Sequence, residues 1–350
     1  MFSDNSLIDS AAEGLAKRLP RGWSIKQASK GRQTGKGAAP NAVLRISGPG
    51  SSIASVTIEA KSRLEPKDVA RLKAPRRSDR DAPLLIVAPF LSTRTRQCLE
   101  AAGFSYADLT GNIRLSLASP ALFIDARGAD ENPEPAGRER RSLKGAKAGR
   151  LVRALCDFRP PLGLRELATR ADVDAGYTSR IVQVLVREAL VVRTSRGPIT
   201  SVDWAALLRR WSEEYSPLKG GRVSWYLAPR GLQPVVDRLK TLRKGYVVSG
   251  SWAANLFAPV APARLLLCYA DDVKKLANIL DVRPADAGMN VALVRPLDQV
   301  VTDRASQRDG LTIAALSQVA ADLLTSPGRG PSEAEALMKW MSENESVWRR

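Results

Sequence analysis

Histidine is absent from all 350 residues. That single absence removes imidazole acid–base catalysis, Ser-His-Asp and Cys-His nucleophilic triads, and HExxH zinc sites. Chemistry that needs only carboxylates survives it, because magnesium takes oxygen ligands. Cysteine is scarce as well. Cys98, Cys156 and Cys268 lie far apart in apolar surroundings, the pattern of small buried hydrophobes in a reducing compartment and not of a disulfide or zinc framework. No apolar run is long enough to span a bilayer, and no signal peptide or lipidation signal is present. The expected setting is the cytoplasm, with no membrane partner and no cofactor.

Positive charge, by contrast, is in excess. The chain carries 54 Lys and Arg against 36 Asp and Glu, a net +18. A polyanion is the natural partner of such a protein, and double-stranded DNA, with a nucleoid-associated location, is the expected one. The excess is densest in the middle: residues 138 to 216 hold 16 basic and 9 acidic groups, or +7 over 79 residues. A chain of this length is expected to form two or three domains.

The same middle stretch, Leu151 to Asp203, reads as helix, helix, turn, helix and basic hairpin, the order of a winged helix-turn-helix. Leu151, Val152 and Leu155 form one apolar face, and Pro160-Pro161 ends that helix. A second helix runs from about Leu164 to Ala171. Asp172-Val173-Asp174-Ala175-Gly176 supplies the turn, with Asp174 suited to cap the third helix. In that third helix Ile181, Val184 and Leu185 recur on the core side. Tyr177, Thr178, Ser179, Arg180, Gln183 and Arg187 are the candidate DNA contacts there, with Arg180 the best candidate for reading guanine. Leu190-Val191-Val192 and Pro198 to Val202 are the strands of the wing. Its tip, Arg193-Thr194-Ser195-Arg196-Gly197, adds Arg193, Ser195 and Arg196 to the candidates.

Before this segment, strands are predicted at Ala42–Ser47, Ser55–Lys61, Leu84–Ala88 and Asn112–Leu117, with helices around Leu7–Leu19, Pro66–Leu72 and Thr93–Ala102. Ala129 to Gly149, rich in Pro, Gly and charge, reads as a linker. After it come an amphipathic helix from Asp203 to about Tyr215, and strands near Val223–Leu227, Gly245–Ser249, Arg264–Tyr269 and Asn290–Val294. Helices are predicted at Gly231–Leu242, Trp252–Phe257, Asp271–Ile279, Ala314–Leu324 and Ser332–Glu343.

Two places suggest chemistry, and each lacks a part. Glu59-Ala60-Lys61 ends a strand as the (D/E)xK element of PD-(D/E)xK nucleases does, but the neighbouring strand Ala42–Ser47 offers Asn41 and no carboxylate. Ser249-Gly250-Ser251 stands between strand and helix, where nucleotidyltransferases hold triphosphate. The strand that should bring magnesium ligands, Arg264–Tyr269, has none before Asp271-Asp272. Gly31 to Gly37 fails the P-loop spacing, and Asp108-Leu109-Thr110-Gly111-Asn112 reads as a structural turn.

Gly163-Leu164-Arg165-Glu166-Leu167-Ala168 through Thr178-Ser179-Arg180, Val202-Asp203-Trp204, Gly250-Ser251-Trp252-Ala253-Ala254, and Asp322-Leu323-Leu324 to Trp348-Arg349 resemble AbiEi-type proteins over roughly 145 to 350. These are winged-helix proteins, often antitoxins of type IV toxin-antitoxin systems, that bind promoter DNA. The resemblance implies a transcriptional regulator, with an extra domain ahead of the winged helix. The expected fold class is therefore α/β (α+β), in four parts. A degenerate restriction-endonuclease-like α/β domain spans 1–129 and a basic linker 130–149. A winged helix-turn-helix spans 150–216, and an α/β domain resembling a degenerate nucleotidyltransferase spans 217–350. No catalytic residue and no metal ligand is expected. The alternatives are a metal-dependent DNA nuclease using Glu59 and Lys61, and an antitoxin-like partner of a toxin. A homodimer and a cognate protein partner both fit these readings.

Overall fold

In strand β2 (Ala42–Ser47), Ala42, Leu44 and Ile46 are buried while Arg45 is exposed. This period of two is the mark of a sheet covered on one face. The computed structural model describes residues 4–30, 42–72, 83–133, 142–194, 197–219 and 222–350. Among these the chain is a mixed α/β protein in two compact units, Met1–Arg140 with Arg187–Ala189, and Arg141–Val186 with Leu190–Arg350.

The first unit is a seven-stranded sheet in sequential order: β1 (Ser24–Lys30), β2, β3 (Ile53–Ala60), β4 (Leu84–Ala88), β5 (Ser105–Asp108), β6 (Ile113–Leu117) and β7 (Leu122–Ala126). The β3–β4 and β4–β5 pairs are parallel and the others antiparallel. Parallel neighbours need crossovers, and helices α2 (Pro66–Val69) and α3 (Thr93–Ala101) lie in those two connections. Helix α1 (Asp4–Ala16) packs Leu7, Ile8, Ala11 and Leu15 into one cluster with Leu44, Ile46, Val56, Ile58 and Leu115 of the sheet. A second cluster joins Leu64, Val69 and Leu99 to Ile86, Ala88 and Tyr106. Strands β1, β5 and β7 are absent from the sequence reading. Strand β1 is a polar edge strand with Ile25 as its one large apolar residue, and β5 is only four residues long.

The Asp108–Asn112 turn is a buried polar knot. One carboxylate oxygen of Asp108 accepts from the Thr110 and Asn112 amides at 2.9 and 3.0 Å, the other from the Leu91 amide and Asn112 Nδ2 at 3.0 and 2.8 Å. Asn112, with no exposed surface, accepts from Arg96 and from the Gly128 amide. A side chain at Gly128 would run into the Thr110 carbonyl, so glycine is required by close approach.

The second unit begins with α4 (Ala146–Asp157), α5 (Leu164–Arg170), α6 (Ala175–Arg187, its last residue grouped with the first unit), strands β8 (Val191–Arg193) and β9 (Ile199–Val202), and α7 (Trp204–Ser212). It continues through β10 (Val223–Leu227), α8 (Gln233–Thr241), β11 (Val247–Ser249), α9 (Gly250–Asn255), β12 (Leu266–Tyr269) and α10 (Val273–Leu280). Strands β13 (Arg283–Pro284), β14 (Val291–Val294), β15 (Ser306–Arg308) and β16 (Leu311–Ile313) precede α11 (Leu316–Leu324), α12 (Gly330–Glu343) and α13 (Glu345–Trp348). The larger sheet runs β13-β10-β14-β12-β11-β16-β15, with β12–β14 and β11–β16 parallel.

Two features differ from the sequence reading. First, the stretch read as a linker over 130–149 is ordered on both sides of its undescribed centre, 134–141. Leu143 and Ala148 are core residues, and α4 starts at Ala146, five residues ahead of Leu151. Gly149, at the end of that stretch, is a packing residue whose missing side chain leaves room for Trp211, 3.2 Å from a Cβ built there. Second, one hydrophobic cluster runs from Leu143 to Met341 across the boundary drawn at 216/217. The physical reason is α7. Its Leu207, Leu208 and Trp211 are buried in a core shared by α4 and α11.

Polar groups reinforce that union. Arg153 of α4 has no exposed surface, and its guanidinium donates to Asp157, to Ser317 Oγ (2.8 Å) and Gln318 Oε1 (2.7 Å) on α11, and to the Val300 and Asp303 carbonyls. Asp157 also receives Arg304 Nε at 2.6 Å and the Ser317 hydroxyl. Deleting one member of a buried charged pair strands the other without compensation, at a cost of about 3–5 kcal/mol. Arg153→Ala is therefore expected to destabilise the second unit by about that amount. Urea unfolding followed by tryptophan fluorescence measures it, since six of the seven tryptophans (all but Trp23) belong to that unit.

Candidate nucleic-acid interface

Helix α5 ends because Asp172 takes a left-handed φ of 49°. The Asp172 amide then donates to the Thr169 carbonyl and the Val173 amide to the Ala168 carbonyl, closing the last turn. Two residues later Asp174 starts α6. Its Oδ1 accepts the Tyr177 amide at 2.7 Å, the N-cap bond expected from the sequence. Lys147 of α4 stands 3.3 Å from the other oxygen of the same carboxylate. An open groove of about 560 Å³ lies along this turn, lined by Arg165, Thr169, Asp172 and Asp174 among others. Lys147 and Arg165 escaped the sequence reading. The earlier start of α4 was the missing signal for Lys147.

Ile181, Val182 and Leu185 seat α6 in the core. Arg180, Gln183 and Arg187 recur at three- and four-residue spacing on the opposite side, and all three are exposed. Arg180 and Gln183 make no hydrogen bond or ion pair among the described residues, so their donors remain available. Ser179 is half-buried beside them. Tyr177 is half-buried against the core, and this burial raises its phenol pKa. Thr178 has to be removed from the candidates. It has no exposed surface, and its hydroxyl donates to the Asp174 carbonyl at 2.9 Å within the helix. Its position, one step round from Tyr177, turns it to the core.

The wing is a short antiparallel pair, Val191 opposite Val202 and Val192 opposite Ser201, extended by a bridge between Leu162 and Ile199. Arg193 is half-buried and donates through Nε to the Gly197 carbonyl at 2.8 Å, which fastens the base of the tip. Its terminal nitrogens make no hydrogen bond or ion pair among the described residues. Ser195 and Arg196 lie outside the described residues.

At the two places that suggested catalysis the polar groups pair within the protein. Glu59 Oε1 is paired with Lys61 Nζ at 2.6 Å, and among the described residues no group of three His, Cys, Asp or Glu is placed to hold a metal ion. Asn41 and the glycine-rich 31–37 stretch fall outside the described residues. Ser249 donates to Asp322 at 2.5 Å, and Ser251 donates to the buried Glu333. Both hydroxyls are thus hydrogen-bonded to protein carboxylates. Asp272 caps α10 through the Lys275 amide at 2.9 Å.

No family model, curated protein or solved structure matches this chain.

The cap gives α6 a pH dependence of definite sign. The Tyr177 amide, chiefly, and Lys147 hold the Asp174 carboxyl below its ordinary range. A carboxylate lowered in the folded state stabilises above its unfolded value, and the benefit is lost as pH falls through the folded one. The Tyr177 amide should therefore keep its hydrogen-exchange protection through the ordinary carboxylate range and lose it only below. Asp174→Asn should hold protection across the whole range, and Asp174→Ala should lack it throughout.

Proposed function

We propose that this chain is a sequence-specific DNA-binding transcriptional regulator. The observation that carries the reading is the exposed row Arg180, Gln183 and Arg187 on a helix that is capped, seated in the core and followed by a two-stranded wing. A helix of about 10–12 Å diameter with its side chains fits the major groove of B-DNA, where arginine pairs with guanine O6 and N7 and glutamine with adenine. In this reading Ser179, Tyr177 and Lys147 contact the DNA backbone, and Arg193 contributes from the wing. The likeness to AbiEi-type winged-helix proteins agrees with this assignment, as does the net charge of +18. DNA places the protein at promoters in the cytoplasm. Among the described residues no helix is long and apolar enough to cross a membrane.

The nuclease and antitoxin alternatives have less behind them. Glu59 has Lys61 as its partner, and among the described residues it belongs to no group of three side chains that could hold a metal.

In vitro selection from randomised duplexes should enrich a defined motif. Against that motif Arg180→Ala is expected to lose about 1–3 kcal/mol of binding and to relax preference at one base position, read by titration in a mobility-shift assay. Failure of any motif to enrich, or unchanged affinity in the variant, would refute the assignment.

A further inference from the structure

The first unit carries a surface that the winged-helix reading does not use. In β1 to β3 the residues facing α1 are apolar: Ile25, Leu44, Ile46, Val56 and Ile58. The alternate residues form the opposite face. The α2–α3 cluster, built on β4 and β5, includes none of the residues of β1, β2 or β3. On that face Lys26 lies directly across from Arg45, and Arg45 directly across from Ser55. Lys26 and Arg45 are both exposed, and neither forms an ion pair among the described residues. Thr57 follows Ser55 on the same side of β3, half-buried. The one carboxylate in this row of β3 is Glu59, and Lys61 already neutralises it at 2.6 Å.

Like charges placed directly opposite one another on paired strands destabilise the sheet. Here two stand together with no counter-charge, in a chain that elsewhere pairs its cations freely: Lys17 with Glu13, Arg63 with Glu65, and Arg114 with Asp125. Neighbouring strands are roughly 5 Å apart, and the stems of Lys and Arg are long and flexible. Two such heads can meet successive phosphates of one nucleic-acid strand, with the hydroxyls of Ser55 and Thr57 as further donors.

We propose that this face of β1–β3 is a sequence-independent DNA-backbone contact, in which Lys26 and Arg45 each neutralise a phosphate of duplex DNA. The occupant follows from charge complementarity, because a polyanion relieves the repulsion that the register imposes. The face has no row of base-reading side chains comparable to α6. This contact goes beyond the reading of α6 and does not depend on it.

The test is the salt dependence of binding to a random-sequence duplex, measured on the full chain by fluorescence anisotropy. Each phosphate contact adds about 0.9 to the slope of log Kd against log salt, so Lys26→Gln with Arg45→Gln should lower that slope by about 1.8. The double variant should unfold at a temperature no lower than the parent, since it removes a like-charge pair. The charge-preserving Lys26→Arg with Arg45→Lys should keep the parental slope. An unchanged slope in the Gln variant overturns the proposal, whatever Arg180→Ala does. Loss of binding to anionic lipid vesicles with the DNA slope intact also overturns it, in favour of a membrane surface. A lowered slope in the Gln variant alongside an indifferent Arg180→Ala supports this contact and removes the α6 reading.

Discussion

The second unit depends on Arg153. A guanidinium with no exposed surface must have all its N–H groups satisfied and its charge balanced, and here one helix supplies the charge and another the geometry. Asp157 lies one turn along α4, while Ser317 and Gln318 come from α11, more than 160 residues away in sequence. From Gln318 the chain of bonds continues to Asp322, which accepts from Tyr215 at 2.8 Å and from Ser249. Helix α4, the residues just after α7, strand β11 and α11 are thereby joined through buried polar atoms. The consequence is mechanical. The helix-turn-helix is built into an α/β body, and the direction of α6 is fixed by that body.

The C-terminal residues add to the same joint. Arg349, nearly buried, donates to the carbonyls of Leu155, Cys156 and Phe158, the groups that the end of α4 leaves open. The Arg350 amide donates to the Asp157 carbonyl, and the Arg159 amide to the Arg350 carbonyl. Side-chain donors at a helix C-terminus satisfy the orphan carbonyls and oppose the dipole there. Thus α4 is held at its end by Arg349 and along its length by Arg153.

Much of this was legible from local pattern. The apolar spacings of α6, α7 and α11 and the runs in β4, β12 and β14 show in the sequence because one residue type repeats with the period of its element. The candidate face of α6 was legible for the same reason, except at Thr178 and at Val184, which was expected in the core but is half-buried while Val182 is buried there. A threonine beside tyrosine and serine looks like a surface residue until the exact helical phase is known. Arg153, Ser317, Gln318 and Asp322 were not legible at all. A polar residue in an amphipathic helix is read as solvent-facing, and only the meeting of α4 with α11 makes it interior. Lys26 opposite Arg45 was hidden in the same way, because register is a property of two strands and β1 has too little apolar content to announce itself.

Carboxylates decide what the two suggestive sites can do. Around Asp322 every hydrogen-bond donor is neutral: Ser249, Tyr215 and Gln318, with Tyr269 3.2 Å from the Tyr215 hydroxyl. Burial raises its pKa against those bonds. Such a group has its lone pairs committed to the fold, and Ser249 and Ser251 are committed with it. Those bonds tie β11 to α11 and α9 to α12. The exposed arginines of α6 carry no such commitment. Under the proposed reading, that uncommitted hydrogen-bonding capacity on α6 is what a polyanion would meet.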